Sequence, residues 1–189
     1  TTSRSWSERA DLSNRDRDGQ LQRAGLVADR VAHGDLHRVF TGLRLDADGE
    51  LELLTTELNR PNGIAFSPDE SVLYVDDYRV GHIRAFDVLP NGMLSLASDR
   101  VFCELREPRP IGPDGPDGMK VDVEGNVYCT GPGGVWVIDE SGEHLGTVLT
   151  GVQTTNVGWG GDNWKTLFIT TFDALYRIQL KIAGIPVPG

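Results

Sequence analysis

The chain has 189 residues, enough for one domain with a sizeable core, and its hydrophobic (39%) and charged (24%) fractions are those of a globular protein. A net charge of −10 and a pI near 4.8 leave no electrostatic footprint for nucleic acid or an anionic membrane surface. No apolar run nears the roughly 18 residues of a spanning helix, and no charged-then-apolar leader opens the sequence, so a cytoplasmic setting is the expectation.

Residues 1–40 are rich in Arg and Asp and carry few apolar residues at strand or helix period, which predicts an irregular segment with at most a short helix over 20–32. Asn14, Asp16, Asp18 and Gly19 imitate the opening of a calcium loop. The twelfth place, which needs a bidentate Glu, is Gly25, so this stretch reads as a solvated turn.

From residue 41 the character changes. Short runs of Val, Ile, Leu, Phe, Tyr and Thr alternate with Asp48-Gly49, Asn62-Gly63, Asn91-Gly92, Asp114-Gly115, Asp117-Gly118, Glu124-Gly125 and Ser141-Gly142. Such dipeptides supply the positive φ of tight reversals, so each is expected to be a strand-to-strand turn. Strands at this spacing without helices between them define an all-β sandwich, barrel or propeller. Cys103 and Cys129 lie inside strand-like runs and read as buried thiols, and no Cys/His zinc spacing accompanies them.

An internal repeat chooses among the three architectures. Residues 62–88, 117–148 and 155–180 each open on a small polar residue, continue into an apolar strand, turn, and form two further strands, the last being "IRAFDV", "VWVIDE" or "LYRIQL". Offsets of 55 residues (Asn62 to Asp117) and 39 (Asp117 to Asn156) fall in the range of propeller blades, the longer one holding an extra loop at 104–116. The stretch 43–55 reads as the outer hairpin of a preceding blade. The fold expectation is an all-β partial six-bladed β-propeller, about three blades plus a fragment, over residues 41–189. Inner strands of neighbouring blades start near the axis, which would bring Asn62, Asp117 and Asn156 to one site.

"RPNGIAFSPD", "PDGMKVDVEGNVYCTGPGGVWVID" and "TTNVGWGGDNWKTLFITT" followed by "DALYRIQL" together resemble the C-terminal half of the gluconolactonase/regucalcin (senescence-marker protein) family. The resemblance implies a six-bladed propeller hydrolase of sugar lactones with a divalent metal, calcium first and magnesium, manganese or zinc as alternatives, at the end of the channel. It implies Asn62 as a metal ligand and Asp117 as both metal ligand and catalytic residue. The family's glutamate ligand from a first blade and its Pro-Asn-Asp-type motif have no counterpart here, and about half a propeller is missing. A truncated or frame-shifted product is therefore the expectation for the origin of residues 1–40, and self-association through open blade edges follows from the incomplete ring.

Chemically, Asn and Asp oxygens are hard ligands for calcium, magnesium or manganese. A cation so held polarises a lactone carbonyl while a carboxylate handles the proton of the attacking water. Each residue also has a plain reading. Asn62 and Asp117 could be turn residues only. Asn156, Asp77 and Met119 are candidates for touching substrate, against a strand-start hydrogen bond, a strand cap shared by Asp76 and Asp77, and core packing. His82 reads as an exposed strand residue, and Trp159 as core between blades. No Gly-x-Ser-x-Gly elbow supports a serine esterase, and "TGPGGVW" lacks the helix and Lys of a phosphate loop. The function expected is metal-dependent hydrolysis of a sugar lactone. The alternatives are a related organophosphate or other-lactone hydrolase, and an inactive, incomplete propeller fragment.

Overall fold

A computed structural model describes residues 40–45, 51–105 and 115–186. Of the irregular segment expected for residues 1–40, all but Phe40 lies outside the described residues, as do its calcium-loop imitation, Asp48-Gly49, and residues 106–114 of the extra loop expected at 104–116. Thirteen strands appear among those described, and no helix.

Strands β1 (Phe40–Leu45) and β2 (Leu51–Leu58) form an antiparallel hairpin. The first full sheet is a meander of β3 (Pro61–Phe66), β4 (Val72–Asp77), β5 (His82–Val88) and β6 (Leu94–Glu104). The second is β7 (Met119–Val121), β8 (Val127–Gly131), β9 (Gly134–Ile138) and β10 (His144–Leu149). A three-stranded sheet follows, with β11 (Thr154–Gly160), β12 (Thr166–Thr171) and β13 (Leu175–Gln179). Hairpin, two four-stranded blades and a three-stranded blade make up the expected partial propeller.

Successive blades pack face to face, and the side-chain period of two explains how. On β4, Leu73 and Val75 turn toward the hairpin and join Leu58 and Phe86 in one core. Tyr74, between them, turns the other way into the core shared with the next blade, where Ile83, Met119, Val127 and Cys129 pack. On β9, Val135 faces the three-stranded sheet beside Val157 and Ile169, while Trp136 and Ile138 face backward. The middle strands are therefore buried on both faces. This explains why "VLYV" and "GVWVI" read as continuous apolar runs rather than alternating ones. It also corrects the reading of His82: at 9% exposure on β5 it is buried, because β5 is an interior strand. Cys103 and Cys129 are buried free thiols.

The turns are held by side-chain carboxylates. Gly92, Gly125 and Gly142 have φ of 79°, 89° and 92°, as true reversals require. Asp122, fully buried, accepts the N–H groups of Glu124 and Asn126 at 2.9 Å on one oxygen. Its other oxygen accepts the Asn126 amide at 2.8 Å and the Tyr128 hydroxyl at 3.1 Å. Replacing Asp122 with Ala strands these donors in the interior. Urea unfolding of Asp122→Ala is expected to show a loss of about 2–4 kcal/mol; a loss below about 1 kcal/mol would mean water replaces the carboxylate.

Candidate active site

Strand β3 packs on β7, and β7 on β11. Their axial ends are irregular, and the irregularities fall on the candidate residues. The register of β3 against β4 shifts between Pro61 and Ile64, so the Asn62-Gly63 step forms a bulge inside the strand. The register of β11 against β12 shifts between Thr154 and Asn156. Bulges re-aim side chains out of the strict alternation of a strand. Asp117 lies in the extended lead-in to β7, its N–H donating to Thr130 Oγ1 at 3.2 Å.

The geometry sets Asn62 near Asp117, and Asn156 against the adjoining Gly118. The Asn62 side chain favours the ionised form of the Asp117 carboxylate. Asn156 packs against Gly118, where an added Cβ would collide with its Oδ1. The Gly118 N–H donates to the Thr155 carbonyl at 3.1 Å, and the Gly118 carbonyl accepts the Thr130 N–H at 3.0 Å, tying β7 to both neighbours. Asn62 and Asn156 are exposed, and Asp117 is half-buried.

The glycines of the two motifs need a different explanation from the one the sequence suggested. Neither Gly63 nor Gly118 has a positive φ, so neither Asn62-Gly63 nor Asp117-Gly118 is a reversal. A Cβ on Gly63 would strike the Asp117 carbonyl oxygen and Asp76 Oδ2, and one on Gly118 would strike Asn156. Glycine is needed there for close approach of backbones, not for turning.

Behind this surface lies Asp76, which the sequence reading paired with Asp77 as a cap. It is fully buried, two residues along β4 from Tyr74 and hence on the same face, turned into the seam between the two full blades. Its Oδ2 accepts the Gly63 N–H at 2.8 Å, and its Oδ1 has no hydrogen-bond partner among the described residues. Burial pushes the Asp76 carboxyl well above the usual carboxylate range, and the charges of Asp117 and Asp77 push the same way against the N–H groups of Gly63 and Asn62. Period-two alternation from Tyr74 was the signal for this burial. Burial also raises the Asp117 carboxyl, opposed by the Asn62 side chain and the charge of Arg60.

Asp77 is 1% exposed, and its carboxylate receives the N–H groups of Asn59 (2.6 Å), Arg60 (3.2 Å) and Val80 (3.3 Å), the arrangement of a strand cap. Met119, also 1% exposed, sits in the core between the two full blades. Trp159 packs edge-on against Tyr128 at a centroid distance of 5.1 Å. Arg60, which the sequence reading passed over, precedes the Pro-Asn-Gly step and holds its guanidinium 4.5 Å from the Tyr78 ring centroid.

Among the described residues no group of three or more His, Cys, Asp and Glu side chains could hold a metal ion. The oxygens of Asn62 and Asp117 form a different kind of set, a carboxylate beside a neutral amide, whereas the Asn156 Oδ1 accepts the Val157 N–H at 2.8 Å, the strand-start hydrogen bond. This composition fits one side of an oxygen-ligated calcium or magnesium site and does not fit a thiolate or imidazole centre.

Successive antiparallel meanders packed face to face define the class as a β-propeller. The SMP-30/Gluconolactonase/LRE-like region model matches residues 7–173, and the chain belongs to that family. It is 35% identical over 148 residues to a gluconolactonase of Zymomonas mobilis, covering 75% of this chain and 40% of that protein. It is 31% identical to regucalcin of Bos taurus, covering 94% of this chain and 64% of the relative. The solved structure of the gluconolactonase XC5397 of Xanthomonas campestris superimposes with a TM-score of 0.65 at 32% identity, over 79% of this chain and 47% of that one. The chain thus spans roughly a third to two thirds of the length of the curated relatives it matches.

The steric reading of Gly63 is tested by contrast with Gly158, where a Cβ meets nothing within 4 Å. Gly63→Ala is expected to destabilise the chain by about 1–3 kcal/mol in urea unfolding, and Gly158→Ala to be neutral or slightly stabilising. Equal effects at both positions would remove the close-approach argument.

Proposed function

We propose that the axial site serves metal-dependent hydrolysis of a sugar lactone, with Asn62 and Asp117 as metal ligands and Asp117 also as the catalytic carboxylate. The single observation that carries this reading is that the Asn62-Gly63 bulge of one blade lies against Asp117 of the next, so that Asn62 acts on the Asp117 carboxylate. Asn156 would touch substrate at the exposed rim. Asp77 would act through the backbone it holds beneath Asn59 and Arg60, and Met119 through its packing under Asp117. The lactonase names of the relatives support the substrate class.

A bound calcium or other divalent ion supplies Lewis acidity toward the lactone carbonyl. The remaining work falls to the chain. Asp117 accepts a proton from water as the water oxygen bonds to the carbonyl carbon. The ring carbon–oxygen bond then breaks, and the ring oxygen takes the proton back from Asp117 to give the open hydroxy acid and restore the carboxylate. A carboxylate positioned beside the attacking water is the proton acceptor such a step requires. The Asn62 amide favours the ionised form of that carboxylate.

Chelator-sensitive hydrolysis of glucono-δ-lactone, followed by acid release, tests the proposal. Asn62→Ala and Asp117→Asn are each expected to lower the rate by at least about 10–100-fold. Turnover that persists in EDTA and in Asp117→Asn would overturn it, and turnover confined to organophosphates would move the activity to the related hydrolase class.

Because the Asp117 proton must leave before a cation binds, calcium affinity is expected to rise with pH through a range above the usual aspartate pKa, then level off. Calorimetric titration from pH 4 to 8 reads this directly. An affinity flat across that whole range would mean that Asp117 does not coordinate.

A further inference from the structure

Arg60 occupies a position that a neutral sugar lactone would not require. Its backbone is pinned on both sides: its N–H donates to the Asp77 carboxylate at 3.2 Å, and its carbonyl accepts the Tyr78 N–H at 3.0 Å. The guanidinium lies over the Tyr78 ring, 4.5 Å from its centroid, and that ring is packed against Gly115, where an added Cβ would fall 2.8 Å from Cδ2. Arg60 is exposed and only two residues from Asn62.

The other paired arginines of the same sheet are spent internally. Arg84 pairs with Asp99, and Arg100 with Asp87 at 2.9 Å. Among the described residues no carboxylate forms an ion pair with Arg60, in a chain that carries ten more negative charges than positive ones. Stacking occupies a guanidinium's face and leaves its edge donors available, and that edge matches the paired oxygens of a carboxylate or phosphate. Its charge is also felt at Asp117, which places it within reach of a ligand lying on that carboxylate.

We propose that Arg60, stacked on Tyr78, is a specificity residue that selects an anionic substrate, a sugar lactone carrying a carboxylate or phosphate group away from the ring ester. This rests on the lactonase reading above. Asn62 and Asp117 would engage the ester end, and Arg60 the charged substituent.

The test compares kcat/KM for glucono-δ-lactone, which is neutral, with glucaro-1,4-lactone and 6-phosphoglucono-δ-lactone, in the wild-type chain and in Arg60→Gln and Arg60→Lys. The ratio of anionic to neutral kcat/KM is expected to fall between about ten- and a hundredfold in Arg60→Gln. Arg60→Lys is expected to fall between the two, since it keeps the charge but loses the fork. The wild-type preference should weaken with added salt, and the Gln variant should lose that dependence. A calorimetric arm measures binding of glucarate and of uncharged glucitol to the same three proteins, independently of turnover.

A ratio unchanged within twofold in Arg60→Gln overturns the inference and leaves the lactonase reading standing; Arg60 would then serve only to keep Asp117 ionised. If no lactone is turned over but glucarate binds, and binding is lost in Arg60→Gln, the anion site stands and the lactonase reading fails. Absence of both turnover and glucarate binding overturns both.

Discussion

The backbones of β3, β7 and β11 approach one another so closely at their axial ends that positions 63 and 118 have no room for a Cβ. Face-packed sheets ordinarily stand about 10 Å apart, with side chains filling the gap. Here that gap closes to bare peptide contact, and two glycines are the condition for it. Because Gly63 meets the Asp117 carbonyl, the neighbouring Asn62 reaches the Asp117 carboxylate; Gly118, in turn, leaves room for the Asn156 side chain of the next blade. The register shifts at both ends of this contact are the local cost of turning three polar groups out of the blades' alternation.

The same close approach explains a buried acid. A carboxyl group with no access to water and one oxygen without a partner is expensive to keep in an apolar seam. Asp76 is kept there by the Gly63 N–H, which the bulge has withdrawn from the ladder and which needs an acceptor. The bulge and the acid therefore account for each other. Asp77, one residue further, performs a similar service for the backbone that leads into β3, with its side chain on the opposite side of the strand.

Much of this architecture was legible in the chain's repeats. The three segments that opened on a polar residue are three blades, and the stretch at 43–55 belongs to a hairpin of 40–58. The blade-like spacing of Asn62, Asp117 and Asn156 singled them out as site candidates; the structure sets Asn62 near Asp117 and Asn156 against Gly118. What could not be read was why glycine follows Asn62 and Asp117. An Asn-Gly or Asp-Gly pair looks the same in a reversal, as at Asn91-Gly92, and in a bulge with a foreign backbone against it; only the neighbouring blade tells them apart. His82 was misread for a related reason: a single polar residue in a strand looks solvent-facing until both sheet faces are known to be covered. Arg60 left no periodic signal, since its role depends on an aromatic ring eighteen residues later in the sequence.

Each middle strand lends its two faces to two different cores, so no blade owns a hydrophobic interior of its own. Stability in such a stack resides in the seams, as in repeat proteins whose units lean on their neighbours. The axial cluster crosses both seams between the three blades. Any molecule gripped there would act as a rivet through them, and heat or denaturant would have to loosen all three blades together rather than peel the outermost away.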